Sequence, residues 1–372
     1  MASLERTLRE RLLRAPAGAQ EGVRAELAGC LARLGRFDEA RQTLEAIAPA
    51  RRWGDPLLAS RYFLAQGLVA LADEFSSESR DRLRRAHAVA QLAGLGGPAA
   101  TAAAWLAHHA FNQGQFEEMG QWQRMALREP AAVEPMARMR LLLMLANAWR
   151  HACEFATSDR FYASAREHAV REGDGAFIAS GLYNRAVYGI ARLRLLDAAG
   201  TPVDSPQVQQ AVLELDSATH YAKATDNASA TELQSLWRAR LAMLQGRAAE
   251  ALPALQQAAQ RLPEARHERL ALSLQGDLAC CQAQLGDAGA GQALQQLDPL
   301  DAAILETDDR VVFLAQLEGV ARRVGRDDVA SAIHGLRLRA QEAHRTESER
   351  LVQQLHALDV PADWFVASRA AA

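Results

Sequence analysis

Apolar stripes and short polar breaks succeed one another along this chain at helical spacing. Val23, Leu27, Leu31 and Leu34 recur at intervals of four, four and three, which puts them on one face of a helix. Gly35 then predicts the end of that helix, because glycine readily adopts the positive φ that closes one. Phe37 follows and is placed to pack back into the angle between two helices. Ala40, Leu44 and Ile47 form the facing stripe of a second helix, with Pro49 as its stop. The same order fits residues 101–127 through Leu106, Ala110, Gly114, Phe116, Met119 and Ala126. It fits 140–166 through Leu145, Trp149, Phe155, Tyr162 and Ala165, and 233–259 through Ala239, Ala242, Gly246, Ala251, Leu255 and Ala258. It is weaker around Gly286 and Gly325.

The turn positions 35, 114, 153, 246, 286 and 325 are separated by 79, 39, 93, 40 and 39 residues. The two wide gaps are near twice the others, so each predicts a degenerate unit. One is residues 57–93, without the Gly-x-Phe turn, and the other is 176–224, with a proline- and glycine-bearing loop at 199–206. Residues 94–98 and 172–175 are expected turns between units. Alternating β-branched windows are nearly absent. The expected fold is therefore all α, with antiparallel helical hairpins stacked so that neighbours cover one another's apolar faces. Leu4, Leu8 and Leu12 predict an N-terminal capping helix. Val329, Ile333, Leu336, Ala340 and Ala343 predict a long last helix that meets the polar run 344–350, where Thr346 and Glu349 have capping-box spacing and suggest a fresh start. Residues 1–345 are read as a solenoid of about eight hairpins, and 346–372 as a capping or linker segment.

These residues resemble the tetratricopeptide repeat family. Its motif has a small residue in the first helix, glycine at the turn, an aromatic two residues on, and alanine three after that. Ala28, Gly35, Phe37 and Ala40 match all four. Ala107, Gly114 and Phe116 match three, with Met119 in place of the alanine. Ala146 and Phe155 match two, with Cys153 in place of the glycine. The resemblance covers most of residues 20–340 and implies a right-handed superhelix whose concave surface is lined by the first helix of each hairpin. The family's usual period is about 34 residues and the one here is near 40. Lengthened repeats of this kind look like those of bacterial regulatory solenoids, including peptide-pheromone receptors and the sensor parts of transcription activators.

Carried over residue by residue, the concave positions follow the small residue by one, four and five. They are His108, Phe111 and Asn112; Asn147, Arg150 and His151; and Arg240, Met243 and Leu244. In the irregular unit Asn184, Arg185, Tyr188 and Arg192 fall at helical spacing. The candidate ligand-binding set is Asn112, Asn147, Arg150, His151, Asn184 and Tyr188. Asn bonds both the N–H and the C=O of an extended peptide, and Arg grips a carboxylate through two bonds. The competing reading is an ordinary wet helix face.

Composition narrows the function classes. About half the residues are apolar but only 6% are aromatic, so alanine and leucine, both good helix formers, supply the difference. A net charge of −3 argues against a general polyanion-binding surface. The cluster Arg80, Arg82, Arg84 and Arg85 is diluted by Glu78 and Asp81 and reads as a solvated face, so nucleic acid is not an expected partner. His108 and His109 are adjacent and point about 100° apart on a helix, so no metal site is expected. Cys280-Cys281 lacks C-x-x-C spacing and reads as buried packing. Phosphate-loop, H-E-x-x-H and G-x-S-x-G motifs are missing, so neither catalytic residues nor a cofactor are expected. With no secretory signal or membrane span, the expectation is a cytoplasmic protein. Its expected function is that of a non-enzymatic tetratricopeptide-like scaffold, an adaptor or regulator that binds a protein segment or peptide in its concave groove. Two alternatives stay open: the sensory module of a bacterial signalling system, partnering a cyclase, kinase or transcription output domain, and an enzyme with an unfamiliar all-helical site. Leu351, Leu355 and Leu358, with Trp364, Phe365 and Val366 beyond, predict either a fold-back cap or a surface that pairs with a second copy, as a homodimer, or with an output partner.

Overall fold

The computed structural model describes residues 3–48, 54–71, 76–128, 134–227, 233–261 and 268–365. Pro49 and Val366 lie outside them. The helices are α1 (Leu4–Arg14), α2 (Gln20–Arg33), α3 (Phe37–Glu45), α4 (Pro56–Ala70), α5 (Ser77–Leu92), α6 (Gly96–Asn112), α7 (Phe116–Arg128), α8 (Pro135–His151) and α9 (Phe155–Glu172). They continue as α10 (Gly175–Ala198), α11 (Ser205–Ala224), α12 (Gln234–Leu244), α13 (Ala248–Arg261), α14 (Glu268–Gln284), α15 (Gly289–Gln296), α16 (Thr307–Arg323) and α17 (Asp327–His356). Short 3₁₀ turns cover Pro299–Ile304 and Ala362–Trp364, and among the described residues there is no β-strand. None of the described helices is long and apolar enough to cross a membrane. Both hidden units of the periodicity are helical, as α4 with α5 and α10 with α11.

The chain divides into two compact units. Unit 1 comprises Met1–Leu182, His220–Thr231 and Leu351–Ala372; unit 2 comprises Tyr183–Thr219 and Glu232–Arg350. In unit 1, α2 packs on α3 and α4, α4 on α5 and α6, α6 on α7 and α8, and α8 on α9. In unit 2, α12 packs on α13, α13 on α14, and α14 on α15 and α16. A first helix thus meets its own second helix and the first helix of the next hairpin, which is how stacked hairpins cover their apolar faces.

Burial follows from that position. The first helix α8 is buried at every residue from Met139 to His151, and α6 at every residue from Ala99 to Ala107. The second helices bury one stripe each: Met119, Gly120, Gln123 and Ala126 on α7, and Ala248, Ala251 and Leu255 on α13. Close approach demands small residues, and Ala28, Ala107 and Ala146 are completely buried. Gly67 plays the same part in α4, where a β-carbon would come within 2.8 Å of the Leu83 side chain. The equivalence is marked by two serines. Ser79 donates to the Gly67 carbonyl and Ser158 to the Ala146 carbonyl, each from twelve residues further on.

The turns are alike in detail. Gly35, Gly114, Gly246, Gly286 and Gly325 all have φ between 67° and 78°. The next residue's N–H donates to the carbonyl five residues back, as in Arg36 to Leu31 (3.0 Å) and Gln115 to Ala110 (2.9 Å). This bond closes the helix and satisfies one of its last carbonyls. Cys153 makes the same turn with a side chain, at φ 63°, and Glu154 N–H bonds the Trp149 carbonyl at 2.8 Å.

Both chain ends pack into unit 1. The α1 helix buries Leu8 against α2, and the Leu4 N–H donates to the Gly173 carbonyl at the turn before α10. At the other end, α17 runs unbroken through the polar stretch where a fresh start was expected. Arg345 pairs there with Glu342 and Glu349, so the polar residues continue the helix through i,i+3 and i,i+4 bonds instead of capping a new one. Leu351, Leu355 and Trp364 are buried. The His356 ring meets Trp149 at 4.9 Å, Phe365 meets Phe161 at 5.0 Å, and the Trp364 carbonyl lies 3.2 Å from His168 Nε2. Leu351 and Leu355 are thus covered by the chain itself, Leu358 is half-buried, and the residues around them touch α8 and α9.

Three outcomes follow from these contacts. Gly35→Val or Gly114→Val should cost about 1–2 kcal/mol in urea unfolding, since a side chain is strained at positive φ. Cys153→Gly should raise the midpoint, because relief of that strain exceeds glycine's entropic cost of about 0.5–1 kcal/mol. Truncation after Arg350 should lower the melting temperature without changing the number of chains per particle in light scattering. A folded species of half the mass after truncation would instead make the segment an association surface.

Candidate functional site

In unit 1 the first helices α2, α4, α6, α8 and the start of α10 converge on two adjoining cavities. The larger, about 340 Å³, has an apolar wall of Leu4, Leu8, Leu64, Met136 and Met139, with Arg61, Glu26 and Glu134 at its polar side. The smaller, about 220 Å³, is lined by His108, Arg140, Phe177 and Ser180 among others. Arg33, Leu68 and Trp105 border both.

The electrostatics centre on two arginines. Arg33 pairs with Asp174, and both side chains are buried. Asp174 also accepts from the Phe177 N–H at 3.1 Å, which caps the start of α10. Arg140 is only 4% exposed and makes no hydrogen bond or ion pair with any described residue. Its guanidinium carbon lies 4.2 Å from the Trp105 ring centroid and 5.1 Å from that of Phe177. The Trp105 indole N–H is also buried without a hydrogen-bond acceptor. Burial, then the charge of Arg33, push the Arg140 pKa down to about 9, against a smaller pull from Asp174. It is still a cation at neutral pH. Burial, with Arg140 and His109 nearby, holds His108 well below its ordinary value, so that ring is neutral. The cavity therefore carries one positive charge that no carboxylate neutralises.

Of the six residues singled out by the repeat register, four lie in unit 1. Asn112 is half-buried and donates to the His108 carbonyl at 2.8 Å. Asn147 is buried and accepts from the Tyr162 hydroxyl at 2.7 Å, inside the α8–α9 hairpin. Arg150 pairs with Asp159 at 3.1 Å and lies over Phe155. His151 is buried against Phe111 and Phe116. Asn184 and Tyr188 are half-buried on the part of α10 that belongs to unit 2. The register does reach the smaller cavity at His108. It does not reach Arg140, Trp105, Phe177 or Arg33. The signal for Arg140 was a lone charge within Met139–Leu143, an otherwise apolar run of a first helix.

Unit 2 has a cavity of its own, about 340 Å³, and Arg240, Met243 and Leu244 are among the residues that line it. Its charges are balanced differently. Asp277 is fully buried and takes bonds from Arg194, from Arg240 at 2.8 Å and from Gln316 at 2.7 Å. Glu318 collects Arg337 at 2.7 Å, together with Arg322 and His334. Cys280 and Cys281 are buried, and burial pushes their thiols up to about 11 and about 12, so they are inert packing groups. In unit 1, the basic cluster on α5 is partly neutralised, with Arg82 on Glu78 and Arg84 on Glu118.

Burial raises the Asp277 carboxyl, but Arg194 and Arg240 outweigh it and hold the group below its ordinary value of 3.8. A carboxylate with a depressed folded pKa contributes stability above its unfolded value and loses it as pH falls through the folded one. Asp277→Asn should therefore cost about 3–5 kcal/mol at pH 7, since it strands two buried arginines. In urea unfolding measured against pH, the gap between wild type and variant should narrow only below pH 3.8.

Compared with known proteins, the chain matches no family model and no curated protein.

Proposed function

We propose that the chain is a non-enzymatic, tetratricopeptide-like scaffold that binds a segment of a partner protein or peptide in the first-helix groove of unit 1, as an adaptor or regulator. The observation that carries this reading is the convergence of α2, α4, α6, α8 and α10 on one lining that is apolar along Leu64 and Met139 and cationic at Arg140. A fold selected for stability alone fills its cavities and pairs its buried charges. Here an apolar hollow and an unneutralised buried cation adjoin, which is a departure expected at a functional site. The tetratricopeptide assignment and the right-handed winding that goes with it are part of the proposal. They are supported by the forty-residue recurrence, the repeated left-handed turn and the small residues at helix crossings.

One observation favours the sensory-module reading as a second. The smaller cavity, at about 220 Å³ and with a single unneutralised buried cation, suits a compact ligand better than a length of polypeptide.

A photo-crosslinking residue at Leu64, in the groove, and another at Leu92, 90% exposed on α5, test the proposal. The expected result is a discrete partner band from position 64, competed away by the partner segment as a synthetic peptide, and none from position 92. Partner bands from position 92 alone would place binding on the outer surface and overturn it.

A further inference from the structure

Arg140 is a charge that the fold does not need. It sits on the most deeply buried helix of unit 1, between Met139 and Leu141, and it bridges no two elements by a hydrogen bond or ion pair. The nearest carboxylate that could neutralise it, Asp174, already holds Arg33 and caps α10. An unneutralised buried cation destabilises the protein that carries it.

Its setting suits a ligand. Its guanidinium carbon lies 4.2 Å from the Trp105 ring centroid and 5.1 Å from that of Phe177, so its neighbours are aromatic rings, and none of its N–H donors has a hydrogen-bond acceptor among the described residues. The Trp105 indole adds one more buried donor without an acceptor. Both groups border the same cavity. We propose that the smaller cavity of unit 1 is a binding site for an organic monocarboxylate with an apolar body, its oxygens taken by the Arg140 guanidinium and the Trp105 indole N–H. This rests on the reading of the first-helix groove as a ligand site and names the chemistry of what enters it.

The charge count selects a monoanion. Arg33 is neutralised by Asp174 and the His108 ring is neutral, so one negative charge balances the cavity and a second would be buried unpaired. The adjoining space selects the apolar body. From Leu68 and Trp105 the lining continues along Leu64, Met136 and Met139, which offers hydrocarbon, and Arg33, which borders both cavities, is already held by Asp174. A dry site of this kind strengthens a charge-assisted bidentate bond. The carboxylate can come from a free acid or from the C-terminus of a peptide with apolar last residues. The two share this chemistry and are told apart by the probes.

The test uses the full chain, titrated by calorimetry and thermal shift with octanoate, octanol, octylamine, and one apolar tetrapeptide in free-acid and C-terminal amide forms. Saturable one-to-one binding and a raised melting temperature are expected with octanoate or with the acid peptide, and not with octanol, octylamine or the amide. Whichever acid binds identifies the source. Arg140→Met should weaken that binding about 10–100-fold, the loss of a hydrogen-bonded charge. The same variant, unliganded, should melt at or above wild type, because a buried unpaired charge is gone. A merely structural arginine would give the opposite, a lower melting temperature. Arg140→Lys keeps the charge but not the fork. It should bind with intermediate affinity, which provides the decisive comparison if the methionine variant does not fold. Failure of both acids to bind, or equal binding by wild type and both variants, overturns the inference. Equal binding of acid and amide peptides also overturns it, yet leaves the groove reading intact. That reading fails separately, through the crosslinks at Leu64.

Discussion

The constraint on which the structure depends is that a first helix must be covered on both sides. A helix such as α8, buried at every residue from Met139 to His151, has no face left for water. It can exist only between its own second helix and the next hairpin. That requirement accounts for small residues on the first helices, since Ala28, Ala107 and Ala146 are completely buried and a β-carbon at Gly67 would collide with Leu83. It also accounts for the turns. A hairpin can lay its second helix against the first only if the chain reverses within a few residues, and one residue at positive φ achieves this. The demand is strong enough that Cys153 meets it at φ 63° without being glycine.

Charge buried among such helices has to be neutralised locally, because water cannot reach it. The structure shows three solutions. In unit 2, Arg194 and Arg240 share Asp277, with Gln316 bonding the same carboxylate. In unit 1, Arg33 takes Asp174, which ties α2 to the turn before α10. Arg140 has neither kind of partner and is held by aromatic faces alone. Stacking on Trp105 and Phe177 compensates part of the lost hydration but supplies no opposite charge. Asp277 is fully bonded inside its cluster, whereas Arg140 has no carboxylate of its own, and that contrast is what the proposed ligand site rests on.

The ends of the chain matter to unit 1 for a related reason. A stack of hairpins leaves an apolar face at each end, and unit 1 has Leu8 of α1 and Leu351, Leu355 and Trp364 of the C-terminal segment buried in it. The α1 helix does more than cover α2. Leu4 and Leu8 also form one wall of the larger cavity.

The forty-residue spacing of Gly35, Gly114, Gly246, Gly286 and Gly325, and the apolar stripes on either side, determined the helical hairpins and their turns from sequence alone, because those are local properties of backbone and period. The same rule carried His108, Arg240, Met243 and Leu244 onto cavity linings. It stopped short at the end of α17, where Thr346 and Glu349 have the spacing of a cap but lie within a continuing helix held by side-chain pairs. It also stopped short at Asn147 and Arg150, which bond Tyr162 and Asp159 on their own second helix. Whether a polar group on a buried helix faces its partner or a cavity is set by which side chains happen to reach it. Only tertiary structure decided that Asp174, distant in sequence, would neutralise Arg33 and not Arg140. Only tertiary structure brought the rings of Trp105 and Phe177, from α6 and α10, beside one guanidinium on α8.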